Sequence, residues 1–343
     1  MIAAVLRELR KPLTVEEVEV PTIKSGEVLV KTKACGICGT DLHIIDGVGY
    51  KPELPHILGH EPAGVVAEVG DGVTRLKVGD RVLPNIFFTC GECYYCRTNR
   101  ETLCTNFSGA SPALGVGFDG GFAEYFKAPA RNLFILPDNI DFPEGSVIAD
   151  AVVTAVHAVR RRAQVKEGDT VLVIGPGGIG QVMIQIVKAT GARVISVGRR
   201  AVRLELAKKM SADHVINSAE QNVPEAVKAL TAGVGVDVVI DNVGSNETLL
   251  HGIGSLRPGG RIVMIGETDD VIPLSTFRLC VNEFEVIGSR SGGRQDTVEA
   301  IDLVARGVVT PYISDKLPLG RINELFERIR LGKVMGRAVV TMN

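Results

Sequence analysis

The chain opens with short apolar runs broken by polar positions and turns. Residues 28–33 alternate as a half-buried strand does, and 64–70 form an apolar run bracketed by Gly64 and Gly70. Residues 1–8 are strand-like from the start. Gly79-Asp80 and Pro137-Asp-Asn139 are turn signals. No helical period is sustained here, so a mostly antiparallel β domain is expected. The pattern changes near Ala149. Short apolar strands at 171–174, 193–197, 236–240 and 260–265 alternate with helical periods at 178–190 and 202–210. That alternation implies a doubly wound parallel sheet. Beyond about 290 come helices at 297–306 and 322–331, then a strand at 336–341 that could return to the first domain. The expected organisation is a β-rich domain at 1–150, completed by 290–343, and a Rossmann domain at 151–289. No repeat or low-complexity tract stands out.

Composition changes this picture little. With 343 residues, 45% of them apolar, and 39 glycines, the chain can build an α/β globule of two domains. A net charge of −2 without blocks of like charge gives no electrostatic reason for a nucleic-acid or membrane partner. No signal-peptide pattern is visible, and no apolar run looks long enough to span a bilayer. A cytoplasmic chain is therefore expected. Most of its seven cysteines are clustered, which in a reducing compartment favours metal over disulfides.

Gly175-Pro-Gly177-Gly178-Ile179-Gly180 follows a strand and opens a helix. In that context glycines allow the tight turn, the approach of a pyrophosphate and close helix packing, and the helix N-terminus attracts phosphate. The bland alternative is an ordinary glycine turn. An acid that would bind the ribose 2′-hydroxyl of NAD is expected about twenty residues on. Instead the chain has Val197-Gly198-Arg199-Arg200, with no Asp or Glu from 192 to 204. A small residue and two guanidinium groups suit a 2′-phosphate, so NADP is expected, with NAD the alternative. The arginines alone could also be solvated surface charges.

Cys90-Gly-Glu-Cys93-Tyr-Tyr-Cys96 and Cys104 can converge on one tetrahedral ion. Four thiolates with no open position make a structural zinc site. Disulfides and an iron–sulfur cluster are the competing uses of four cysteines. Two further clusters are Cys35-Gly-Ile-Cys38-Gly-Thr40-Asp-Leu-His43 and Gly59-His60-Glu61. Cys38 and His60 are suitable donors for a catalytic zinc, which takes three protein ligands and leaves a position open. Either could equally be a packing residue, and His43 a surface or cap histidine.

Taken together, these motifs resemble the medium-chain, zinc-containing alcohol dehydrogenases over essentially the whole length. The nearest resemblance is to NADP-dependent secondary-alcohol dehydrogenases and to polyol and threonine dehydrogenases. The resemblance implies a GroES-like catalytic domain beside the Rossmann domain. It implies that Cys38 and His60 bind a catalytic zinc. The third ligand falls on Asp150, where many members have cysteine. Glu61 becomes an alternate ligand and Asp41 a partner of His60. Thr40 and His43 match the family's proton relay, Thr154 a threonine packed on the nicotinamide, and Arg337 an arginine on the pyrophosphate. The implied protein holds two zinc ions per chain, acts on a small alcohol or carbonyl compound, and assembles as a homodimer or homotetramer. An alcohol then loses a proton through Thr40, the cofactor ribose and His43, and a hydride to the nicotinamide. Ile86 and the stretch 114–118 are candidate apolar pocket walls. A zinc-free reductase and a non-catalytic dinucleotide-binding protein are the weaker readings.

Overall fold

In the computed structural model, residues 1–107, 111–268, 270–271 and 274–342 are described. The chain forms two compact units, Met1–Val153 with Gly292–Asn343 and Thr154–Ser291.

The first unit is built on Glu27–Ile37, an eleven-residue strand long enough to serve several neighbours. It pairs antiparallel with Glu61–Val69 along one side. On the other side its first half pairs with Tyr125–Pro129 and its second half with Arg337–Thr341. Arg81–Pro84 and Leu133–Ile135 extend the sheet beyond Glu61–Val69, and Ile313–Pro318 extends it beyond Arg337–Thr341. Val28, Val30, Val66, Val82, Phe126 and Leu133 form a core on this sheet. Each such fully buried side chain contributes about 1.5–3 kcal/mol. A second, three-stranded sheet holds Ile2–Leu6 between Thr14–Glu17 and His56–Ile57.

The register matters more than the strand count. Ala338 lies opposite Ile37, and Gly36 lies opposite Glu61. The sheet therefore brings the chain on either side of residues 37, 61 and 337 to one edge. Across that edge runs a helical segment. Its first part, Phe142–Val147, packs on Glu27–Ile37 and Glu61–Val69, and the following turn, Ile148–Val152, is a π turn. Asp141 caps the start by accepting from the Glu144 N–H at 2.7 Å. Such π turns recur at functional sites because they redirect one side chain.

The second unit is a six-stranded parallel sheet. From one edge its strands are His214–Asn217, Arg193–Gly198, Thr170–Ile174, Val236–Asp241, Leu256–Met264 and Glu285–Gly288. Chain order reverses between Thr170–Ile174 and Val236–Asp241, the place where open α/β sheets bind ligands. Leu172, Ile174, Ile195, Val197, Val239 and Ile262 are buried beneath the helices. The doubly wound α/β class expected from the strand–helix alternation is what the chain adopts.

The 21-residue helix Phe142–Arg162 is apolar and long enough to cross a membrane by length and composition, but most of it is buried within the protein, as a core helix is.

Candidate active site

Cys38 ends the extended segment of the central strand and starts the helix Gly39–Asp46. Its N–H donates to Asp41 Oδ2 at 2.9 Å. The Gly59 N–H donates to the other Asp41 oxygen at 3.3 Å, and His60 Nδ1 stands 3.5 Å from that oxygen. Asp41 is fully buried. One carboxylate thus orients both the cysteine turn and the histidine ring, as the second shell of a metal site does.

Cys38, His60, Glu61 and Asp150 each offer a donor atom, all within 4.8 Å of one another. Asp150 Oδ2 is 3.7 Å from Cys38 Sγ and 3.7 Å from His60 Nε2, while Glu61 Oε1 is 3.8 Å from His60 Nε2. Tetrahedral zinc with bonds of about 2.0–2.3 Å requires donor separations of roughly 3.3–3.8 Å. The residues fit such an ion. All four are buried, and Glu61 Oε2 has no hydrogen-bond partner. Three acidic groups gathered away from water call for cationic charge.

Part of that charge is Arg337, buried at 5% exposure. Its Nη2 donates to Glu61 Oε1 at 2.6 Å and to Asp150 Oδ2 at 3.1 Å. The resemblance implies that Arg337 contacts a pyrophosphate; here its guanidinium lies against these carboxylates.

Titration of the cluster follows from the same contacts. Burial pushes the Glu61 carboxyl well above its ordinary range despite Arg337. Burial also opposes charge on Cys38, but Arg337 and His60 outweigh it and hold the thiol below its usual value. For His60, burial favours the neutral ring, while Asp41 and Asp150 raise its pKa well above the ordinary value. Cys35 is different: burial, then Asp41 and Glu61, push its thiol up. It stays a packing residue outside the donor set.

The helix that begins after Cys38 carries Thr40, half-buried, and His43, exposed. The Cys38 thiol donates to Thr40 Oγ1 at 3.7 Å. Thr40 and His43 are three residues apart, so they share a helix face. Ile86 and Leu114 are buried at 5% and 0% exposure, whereas Phe118 is 38% exposed.

The second cluster is Cys90, Cys93, Cys96 and Cys104. Four of its sulfur separations are 3.5, 3.7, 3.8 and 3.9 Å. A disulfide needs about 2.0 Å, and all seven cysteines are free. Four sulfurs about 2.3 Å from one centre would stand about 3.8 Å apart. The N–H groups of Glu92 and Cys93 donate to Cys90 Sγ at 3.4 and 3.3 Å and hold its thiol down to about 6. Burial instead pushes Cys96 up to about 12.

In the second unit, Gly175 has φ +83° and turns the chain out of its strand. A Cβ on Gly180 would lie 2.2 Å from the Gly175 carbonyl oxygen, so the helix Gly180–Lys188 approaches the strand as only glycine permits. A Cβ on Gly177 would meet nothing nearer than Arg203 Nη1 at 4.0 Å. The backbone at Gly177 is therefore open on the side where a side chain would stand. Gly178 and Ile179 complete the loop, and Thr154 is buried at 3% exposure.

Gly198 ends the second strand, followed by exposed Arg199 and Arg200. Sequence reasoning missed Arg203. Burial, then Arg200 and Arg199, push its pKa down, so three guanidinium groups crowd one place. The signal was present: Arg200 and Arg203 stand three apart at a helix start.

Residues 24–138 match the alcohol dehydrogenase GroES-like domain, and residues 178–306 match the zinc-binding dehydrogenase family. An alcohol dehydrogenase of Geobacillus stearothermophilus is 41% identical over the full length of both chains. The chain belongs to the zinc-binding alcohol dehydrogenase family. Other members of this family include an NAD-dependent alcohol dehydrogenase of Sulfurisphaera tokodaii, 35% identical over 99% of both chains. The crystal structure of the Aeropyrum pernix alcohol dehydrogenase superposes with a TM-score of 0.93 at 34% identity, covering 99% of this chain and 100% of that one. As an alcohol dehydrogenase family member, the protein is an enzyme of alcohol–carbonyl oxidoreduction.

Proposed function

We propose that this enzyme transfers a hydride between a secondary alcohol or polyol and NADP, with one catalytic and one structural zinc per chain. The observation that carries the reading is the buried convergence of Cys38, His60 and Asp150 at one end of the central sheet. Cys38, His60 and Asp150 would hold the catalytic ion, and Glu61 is near enough to replace a departing ligand. When bound, the metal supplies Lewis-acid polarisation of a substrate oxygen and the nicotinamide supplies the hydride acceptor.

The chain's own residues do the rest. Asp41 keeps His60 and the Cys38 turn oriented. The Thr40 hydroxyl takes the proton that the alcohol sheds. His43, at the exposed end of the same helix face, passes it to water, a task suited to imidazole near neutral pH. The four cysteines at 90, 93, 96 and 104 would hold the structural ion. The Gly175–Gly180 loop, with Thr154, would seat the dinucleotide.

The preference for NADP is supported by the missing acid after the second strand and by Arg199, Arg200 and Arg203. Kinetics with both cofactors test it. Replacing Arg199 and Arg200 by alanine should raise KM for NADP at least tenfold more than KM for NAD. Equal effects would overturn the assignment. The second reading, NAD, is favoured by the stated cofactor of the Sulfurisphaera relative.

A homo-oligomer belongs to the same proposal. The helix Thr276–Asn282 has no buried residue, with Phe277 74% and Val281 64% exposed. The neighbouring strand Glu285–Gly288 is a largely exposed sheet edge. Such edges are usually covered. Free cysteines throughout suit a cytoplasmic location.

A further inference from the structure

We propose that a cavity in the first unit, between the three-stranded sheet and the strand Tyr125–Pro129, is a second small-molecule site that takes an uncharged ring compound carrying an N–H or O–H.

The cavity has a volume of about 660 Å³, inside the range of roughly 300–1,000 Å³ typical of small-molecule sites. Its walls come from the first unit alone. Cys38, His60, Glu61 and Asp150 are not in those walls, nor are Thr40 and His43. Val5, Val18 and Val20 supply aliphatic surface, and Phe88 and Phe118 supply rings. The two rings stand 5.3 Å apart, tilted by 44°. Phe118 is 38% exposed and Val20 45% exposed. The cavity thus keeps aromatic and aliphatic surface open, which suits a flat ring.

The charged groups in the wall decide which ring compound fits. Each cation there already has a partner within the protein. Arg7 Nη2 stands 2.7 Å from Glu16 Oε1. Lys127 Nζ stands 3.5 Å from Glu27 Oε2 and donates to the Thr22 carbonyl at 3.0 Å. Arg131 Nη1 donates to the Cys90 carbonyl at 3.1 Å, and the Met1 amino group to the Val18 carbonyl at 2.7 Å. Burial holds the His56 ring below its ordinary pKa, although Asp119 Oδ1 is 3.4 Å from Nδ1. Among the described residues, the wall therefore has no cation left over for an anion. An anion enclosed there without a partner is costly. Asp119 also accepts from the Ile57 N–H at 3.0 Å, and its side chain is 67% exposed, where water screens its charge. Asp119 and Tyr125 offer a carboxylate and a phenol to the cavity, acceptors for a neutral N–H or O–H.

The probe is N-phenyl-1-naphthylamine, whose fluorescence rises in apolar surroundings. It has aromatic rings and one N–H, and is neither an alcohol nor a carbonyl compound. Its counterpart is 8-anilino-1-naphthalenesulfonate, the same rings with one negative charge. Titrations use zinc-loaded enzyme saturated with oxidised dinucleotide, so that the cofactor's own site is filled. The uncharged probe should bind once per chain, and the sulfonate about tenfold more weakly or worse. Val20→Arg changes an exposed position, and Val18→Trp fills the cavity. Each should weaken the uncharged probe by about tenfold or more, with kcat/KM for the alcohol unchanged. No rise in fluorescence, equal binding of the two probes, or equal binding to the parent and both variants overturns the proposal. Displacement of the probe by the alcohol substrate places it at the zinc donors and overturns it too. Variants that keep the probe's affinity but change the sedimentation of the enzyme make the cavity a contact between copies of this chain, again against the proposal.

Discussion

Arg337 Nη2 stands 2.6 Å from Glu61 Oε1, joining residues 276 positions apart in a fully buried ion pair. The pairing is dictated by the sheet. Arg337 begins the strand beside the Cys38 end of Glu27–Ile37, and Glu61 begins the strand on its other side. Gly36 lies between them, and a Cβ there would sit 2.1 Å from Glu61 Oε2.

Arg337→Met should destabilise the protein by about 3–5 kcal/mol, because it removes the guanidinium that pairs with the buried Glu61 carboxylate. Zinc affinity at the Cys38 site should change with it, since Glu61 is then free to move onto the ion. Urea unfolding and metal competition with a chelator measure the two effects. A variant as stable as the parent would show that the pair contributes nothing net.

Cys93→Ser should lower metal content from two zinc ions per chain to one, with a fall in Tm of several degrees. Activity per folded chain should be kept. A closed four-sulfur site contributes to folding rather than to chemistry. Metal analysis and differential scanning fluorimetry check it. Loss of turnover with unchanged Tm would contradict the structural role.

Acid should erase one surface contribution. Asp213 accepts from the Val194 N–H at 2.7 Å and pairs with Lys188 at 2.9 Å. Burial raises its carboxyl, but those two partners together hold it below the ordinary value. A depressed folded pKa means stability is present above the unfolded value of about 3.9 and is lost as pH falls through the folded value. With about a third of each side chain exposed, the pair contributes roughly 0.5 kcal/mol. Lys188→Ala should cost that much at pH 7 and progressively less as pH falls below about 3.9 and through the lowered folded value, measured by urea unfolding across the range.

Much of the chemistry was legible in short stretches of chain. Cys90, Cys93 and Cys96 are close in sequence, so their convergence needs only a local turn. The loop Gly175–Gly180 and the absent acid after Val197 are likewise contained within single turns. Alternation of apolar strands and helices predicted the Rossmann sheet because each element carries its own period. Two of its strands escaped notice, His214–Asn217 and Glu285–Gly288. Both are four-residue strands on the sheet's edges. Short edge strands bury little, so no hydrophobic period marks them.

What only the tertiary structure decided concerns residues whose meaning depends on register. The resemblance pointed to Asp150, but only the structure shows how it reaches Cys38 across 112 positions, through a π turn. The resemblance implies a pyrophosphate contact for Arg337, and the antiparallel pairing of its strand buries it against two carboxylates. Asp46 and Arg330 form an ion pair across 284 positions. The physical reason is the same each time. Side-chain type and local spacing determine what a residue can do, while strand register and helix packing determine which charge it meets.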